Sequence, residues 1–393
     1  MIRLSRLIVV LVVALAIATG CAGCGPAADD NTIHIAVCGP MTGGASAFGA
    51  MIKNAAKLKE KEINAAGGIM VNGKKMMVSF DIFDDKAEGG DATNVSRTVS
   101  SDNKILAVVG HFNSACSLAA RDEYNRVGIP MMSPGSTNVK VCAGAEYAFR
   151  NLYRDDYQGD QIALYLKNAL GLNKAAVLYD NDDYGKGLKD SFTERAKKIG
   201  LEFVEISYIR GKTQDFKPLA QQAKDSGAEA IFVAGLYPEA ALIANAAHGD
   251  LKWNAPLIGG DGVMSDTFVE NAGKNAEGSL VTTPFLFNTG HDSDMAKAFM
   301  AAYLAEYKVN PDTWAALTYD ACGMILEAIS KVGQDRKAIR DALAAATSAE
   351  TGYTGVTGVT YFDKEGDCYS KPVYVAVVKD GKFVPAEKQI AGQ

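Results

Sequence analysis

The sequence predicts an α/β fold made of parallel, doubly wound sheets, arranged in two successive series. Three observations predict it. From Thr32 onward, short apolar runs alternate with polar loops and amphipathic stretches, the pattern of βαβ units. The alternation breaks near Arg150–Tyr157 (RNLYRDDY), which is polar and aromatic rather than periodic, and then restarts. The chain has 393 residues, enough for two or three domains that each bury a core.

Taken in order, Ile33–Cys38 is strand-like and Phe48–Ala66 helix-like, closed by Gly67-Gly68 as a C-cap. Val78–Phe83 and Ile105–Val109 read as strands, with a helix between them near Asp91–Ser101. Ser114–Val127 is helical, and Ile129–Met132 is again a strand. In the second series the strands are Ala175–Tyr179, Phe203–Ile206, Ala230–Ala234 and Leu257–Ile258. Helices are expected near Leu188–Ile199, Phe216–Ser226, Ala240–Ala247 and Asp266–Ala272. A strand at Leu280–Thr283 is followed by helices near Met295–Tyr307, Trp314–Lys331 and Arg336–Ala346. The last strands are Val359–Phe362 and Val373–Val378, with a turn at Lys364–Asp367.

The N-terminus precedes this pattern. Arg3 and Arg6 form a basic region, Leu7–Ala18 is an apolar run of twelve, and Ala18-Thr19-Gly20 leads into Cys21. The run is shorter than the ~20 residues that span a bilayer, so an export signal at 1–20 is the better reading than a permanent span. Cys21 after small residues resembles the bacterial lipobox, which implies cleavage before Cys21 and a lipid on its sulfur. An ordinary signal peptide cut nearby is the alternative. Residues 21–31 read as a tether. Export puts the remaining six cysteines in an oxidising compartment, where 15 pairings are open. Cys116 with Cys142 is the first pair to expect, and Cys38 could equally be a buried free thiol.

Composition removes several classes of function. With 40 Lys+Arg against 46 Asp+Glu the net charge is −6, which disfavours a nucleic-acid partner. The four histidines show no metal-pair spacing, and the sequence lacks H-E-x-x-H, G-x-S-x-G, Walker A and G-x-G-x-x-G. No metal, cofactor or nucleophile–base set is implied, so a binder is expected rather than an enzyme.

In open α/β sheets ligands sit beyond the carboxyl ends of the strands. The loops there are Cys38–Gly43, Gly110–Ser114, Ser133–Asn138, Asp180–Gly187, Leu236–Glu239 and Gly259–Gly262. Ser114 at a helix N-terminus, with Thr137 and the N–H groups of the Gly135–Thr137 loop, suits a carboxylate. Asp261 between glycines can accept from an ammonium, and Tyr184 adds a hydroxyl. An anion cradle in one series facing a carboxylate in the other suits a zwitterion, hence an amino acid. His111 is expected to pack beside the site and Glu239 to sit at its helix's N-terminal end.

GPMTG…FG, GHFNS, SPGSTN, DNDDYGKG, YPE and GGDG, in this order and spacing, resemble the type I periplasmic binding proteins, above all the leucine/isoleucine/valine-binding receptors of ABC importers. The resemblance spans about Ile33–Val378. It implies two lobes joined by a three-stranded hinge near Arg154, Thr283 and Asp367. One lobe would comprise 32–153 plus 284–366, and the other 154–283 plus 367–393. Carried over by position, Ser114 and Thr137 hold the ligand carboxylate, and Gly135 offers its carbonyl to the ammonium. Tyr184 and Asp261 complete that site, while Phe48, Phe112, Leu236 and Tyr237 line the side-chain pocket. Asp261 stands where the family often has Glu, and Leu236 rather than Tyr237 takes the slot of the family's pocket aromatic.

The resemblance thus implies a monomeric, lipid-anchored receptor at the outer face of the cytoplasmic membrane or in the periplasm. It would bind a branched-chain or small neutral amino acid and pass it to an inner-membrane permease. A sensory module of the same fold, a receptor for a small amide or similar solute, and a secreted enzyme are the alternatives.

Overall fold

A computed structural model of the chain describes residues 31–390. The expected signal peptide, Cys21 and Cys24 lie outside the described residues. From Ile33 onward the chain clusters as one compact unit.

Its strands are β1 (Thr32–Gly39), β2 (Ile69–Val71), β3 (Lys74–Asp84), β4 (Ile105–Val109), β5 (Met131–Ser133) and β6 (Ala148–Arg150) in the first half. They form a six-stranded sheet in the order β2-β3-β1-β4-β5-β6. The second half contributes β7 (Lys174–Asp180), β8 (Glu202–Tyr208), β9 (Ala230–Ala234), β10 (Leu257–Gly259) and β11 (Leu280–Thr283). A short hairpin follows from β12 (Tyr353–Gly355) and β13 (Gly358–Thr360), then β14 (Tyr374–Lys379) and β15 (Lys382–Pro385). The second sheet has seven strands, ordered β15-β14-β11-β10-β9-β7-β8.

The helices are α1 (Ser46–Ala65), α2 (Gly89–Ser101), α3 (Ser114–Val127), α4 (Asp155–Leu164), α5 (Asp183–Ile199), α6 (Lys217–Asp225) and α7 (Tyr237–Ala244). They continue with α8 (Asp266–Ala272), α9 (Asp294–Tyr307), α10 (Thr313–Val332) and α11 (Arg336–Ala344).

Both sheets are parallel at their centres. β4 lies parallel to β1 and β5, and β7 parallel to β8 and β9. Every residue of β4 and of β9 is buried, as expected for strands covered by helices on both faces. Strand order reverses beside β1 in one sheet and beside β7 in the other, so crevices open at the carboxyl ends of β1/β4 and β7/β9.

The chain passes between the sheets three times, after Arg150, after Thr283 and before Tyr374. The passages are tied together by buried and half-buried polar groups. Arg150 Nε donates to Asp367 Oδ1 at 2.6 Å, and Arg154 Nη1 donates to Asp367 Oδ2 at 3.0 Å. Gln158 Nε2 donates to Tyr153 Oη at 2.9 Å and Thr282 Oγ1 at 3.1 Å.

Several elements depart from the sequence reading. β2 and β3 pair as a hairpin around Asn72-Gly73, whose φ angles of 49° and 80° are those of a two-residue primed turn. α4 starts inside the Arg150–Tyr157 break, and β6, β12 and β15 were not anticipated. The expected Cys116–Cys142 bridge does not form. Cys38, Cys116, Cys142, Cys322 and Cys368 are all free and buried. Cys116, on the first turn of α3, lies near Asp85 and Arg210, whereas Cys142 lies beside Arg150 and Asp367. Burial pushes the Cys142 thiol up to about 12, so it stays protonated.

Candidate functional site

A small cavity lies where the two crevices face each other. It is bordered by Phe112, Asn113, Ser114, Gly135 and Trp314 from the six-stranded lobe, and by Tyr184, Leu236, Asp261 and Gly262 from the seven-stranded lobe. The lobes are closed on each other around it. Asn138 Nδ2 donates to the Asp183 carbonyl at 2.6 Å, and Trp314 Nε1 to the Met264 carbonyl at 2.8 Å. The space left there is about 20 Å³, room for little more than water. A solute the size of an amino acid enters only when the lobes part.

On the first side the loops after β4 and β5 are clamped by hydroxyls. Ser133 Oγ donates to the His111 carbonyl at 2.7 Å, Ser117 Oγ to the same carbonyl at 3.0 Å, and Ser136 Oγ to the Phe112 carbonyl at 2.9 Å. His111 is fully buried, held by Asp85 Oδ2 at 2.7 Å and Tyr124 Oη at 3.0 Å. It packs behind the cavity, as expected. A Cβ on Gly135 would lie 2.3 Å from the Phe112 ring, so only glycine lets the two loops close on one another.

The donors differ in part from the expected cradle. The N–H groups of Gly135 and Ser136 turn inward to Ser133 Oγ, at 3.4 and 2.9 Å, and are not free for an anion. Thr137 is fully buried and does not border the cavity. What faces the space is Ser114 and the N-terminus of α3. Ser114 Oγ accepts from Asn138 N at 3.3 Å, which leaves its own O–H to donate. Asn113, at the N-cap position, makes no side-chain cap, and the first turn of α3 holds no acidic residue. The first N–H groups of a helix have no intrahelical acceptor, so this end favours negative charge.

The opposite side is anionic. Asp261 is buried, and its Oδ1 accepts from Tyr184 Oη at 2.8 Å. Tyr184 Oη in turn accepts from the Gly262 N–H at 3.1 Å. Asp261 Oδ2 is buried without a hydrogen-bond partner. Burial pushes the Asp261 carboxyl up to about 7. Asp155, within electrostatic reach of Asp261, is also buried, and burial reinforced by Asp261 raises it well above the usual carboxylate range. None of the residues bordering the cavity is Lys, Arg or His. A cation is what this side lacks.

The apolar wall is Phe112, Leu236 and Trp314. Phe48, expected in the pocket, stands behind it, with its ring 4.8 Å from Phe112 and 5.8 Å from Trp314. Tyr237 likewise points away from the cavity and across the lobes. Its hydroxyl bonds Gly44 and Ala47 in the other lobe. Glu239 sits in the first turn of α7, as expected, and its carboxylate also accepts from the Gly211 N–H of another loop at 3.2 Å.

The profile of the periplasmic binding protein family matches residues 32–382. The chain is a type I periplasmic binding protein of the branched-chain amino-acid family. Among its relatives is the Leu/Ile/Val-binding protein homolog 1 of Brucella suis, 30% identical over 303 residues, covering 75% of this chain and 77% of that protein. Among solved structures, the leucine-binding protein of Thermotoga maritima superposes with a TM-score of 0.83 at 30% identity, over 91% of this chain and 98% of that one. The branched-chain amino-acid binding protein of Streptococcus pneumoniae, solved with isoleucine, gives 0.82 at 32% identity over the same shares.

In this periplasmic binding protein the sequence reading missed Asn113, Trp314 and Gly262 at the cavity and Asp155 within electrostatic reach of Asp261. Asn113 and Gly262 sit in loops that the reading did single out. Trp314 opens a helix far along the chain, and nothing local to it signals a role at the cleft. Among the described residues no group of His, Cys, Asp and Glu could hold a metal ion, and no helix is long and apolar enough to cross a membrane.

Proposed function

We propose that this periplasmic binding protein captures a neutral, branched-chain amino acid between its lobes and passes it to the permease of an ABC importer. It performs no covalent chemistry. The observation that carries the reading is the buried Asp261 carboxylate, with an unpartnered Oδ2, opposite the uncapped N-terminus of α3 and the Ser114 hydroxyl. In this reading Ser114 and the first turn of α3 hold the ligand carboxylate, and Asp261, positioned by Tyr184, holds the ammonium. Gly135 borders the cavity, and in this reading its carbonyl is a further acceptor for the ammonium. Phe112, Leu236 and Trp314 receive the side chain, and no charged group among them asks for a charged one.

The isoleucine and leucine named for the solved relatives support this choice. So does the closed geometry, because a ligand that touches both lobes stabilises the closed form by its differential affinity. Lipid attachment at Cys21 would hold the receptor near its permease at the outer face of the membrane. A thermal-shift panel of the common amino acids tests the reading, since a bound ligand raises the melting point by mass action. Leucine, isoleucine and valine should give the largest shifts. A panel in which none shifts the midpoint, while an aromatic carboxylic acid does, would overturn it.

A further inference from the structure

Helix α1 has no cap of its own. Ala45 occupies its N-cap position, no side chain of the same segment bonds the first turn, and that turn contains no acidic residue. Exposed first-turn N–H groups are normally met by a Ser, Thr, Asp or Asn side chain. Here the partner comes from the other lobe. The Ala47 N–H donates to Tyr237 Oη at 3.2 Å, and that hydroxyl donates to the Gly44 carbonyl at 2.8 Å. Tyr237 opens α7 at the carboxyl end of β9, in the seven-stranded lobe, whereas Gly44 and Ala47 belong to the β1–α1 connection of the six-stranded lobe. The Tyr237 ring stands edge-on to Phe48 at 4.9 Å, and Phe48 backs the two aromatic rings that border the cavity.

We propose that Tyr237 is an interlobe latch: its hydroxyl caps α1 in trans only when the lobes are closed, and so sets how tightly every ligand is held without touching any. Opening the cleft breaks both bonds at once and leaves the Ala47 N–H and the Gly44 carbonyl to water. The hydroxyl thus contributes to the closed–open equilibrium, and through it to apparent affinity. This is a positioning role. It differs from a pocket-wall role, in which Tyr237 would discriminate between ligand side chains. The inference rests on the amino-acid reading only for the choice of probes.

The test compares wild type with Tyr237→Phe, which keeps the ring against Phe48 and removes the two bonds. Calorimetry with L-leucine, L-isoleucine and L-valine should show all three dissociation constants raised by the same factor, about tenfold, for two lost hydrogen bonds. The rise should appear in the off-rate, and the far-UV circular dichroism of the two proteins should coincide, which a general loss of fold would not allow. Unchanged dissociation constants would overturn the latch, and so would a change in the ratio among the three ligands. If the wild type bound none of the three, the amino-acid reading would fail. The latch would then be read by small-angle scattering of the two proteins without amino acid, a more expanded variant supporting it and identical profiles overturning it.

Discussion

Of the helices whose N-termini face the cleft, α5 and α3 are finished in opposite ways. α5, in the seven-stranded lobe, is closed by its own chain: Asp182 accepts from the Gly185 N–H at 2.8 Å, and Asp183 sits in the first turn. α3, in the six-stranded lobe, has Asn113 at the cap position without a capping bond, and no acid in its first turn. The positive end of α5 is therefore spent within the fold, while that of α3 is open to the cavity. The polar side chains that this lobe brings to the cavity are Tyr184 and Asp261, so it meets the cavity with a carboxylate. One face attracts an anion and the other a cation. A zwitterion is the small solute that satisfies both at once.

Substitutions that erase this contrast rank by the charge they leave behind. Asp261→Ala removes the only carboxylate bordering the cavity among the described residues and leaves the ligand's ammonium unpaired in a dry site. It should cost about 2–5 kcal/mol, roughly 30-fold to several thousand-fold in affinity for L-leucine by calorimetry. Ser114→Ala removes one hydroxyl donor to a carboxylate and should cost about 1.5–3 kcal/mol, while the helix N–H groups continue to hold the anion. Asp182→Ala is the converse case. It uncaps α5, so thermal unfolding should show a stability loss of about 1 kcal/mol with little change in leucine affinity. A large affinity loss there would mean that the second helix end also serves the ligand.

Acidity offers a gentler probe of the same contrast. With only protein around it, Asp261 titrates at about 7, above the carboxylate's ordinary range, because burial penalises its charge. An ammonium at Oδ2 lowers that value, so the bound form carries fewer protons than the free form. Affinity should therefore rise with pH up to about 7 and be level above it. Calorimetry across that interval reads the sign directly, and an affinity that fell as pH rose would contradict the pairing.

Much of this architecture is legible in the sequence, for a physical reason. In a doubly wound sheet the functional loops follow immediately after apolar strands, so Ser114, Gly135, Tyr184, Leu236 and Asp261 can each be found from the strand before them. The α3 and α8 boundaries are readable because caps and periodicity are local. What was not legible arrives from a distance. Trp314 reaches the cavity from the start of a helix that follows the second passage between lobes. The role of Tyr237 depends on which loop of the other lobe it meets. Asp155 lies in a passage whose polar sequence hides the start of α4. The Cys116–Cys142 pairing failed because spacing along the chain carries no information about which way two Cβ atoms point. The Asn72-Gly73 hairpin, by contrast, carries its turn signal within the sequence itself.

The central claim is that the cleft holds a zwitterion, its carboxylate at α3 and Ser114 and its ammonium at Asp261. Calorimetry with L-leucine, with isocaproate, which lacks the amino group, and with isopentylamine, which lacks the carboxylate, tests it most directly. The account predicts binding of leucine and a loss of at least about 100-fold for each analogue, since each leaves a buried charged or polar group unpaired. Isocaproate binding as tightly as leucine would contradict it.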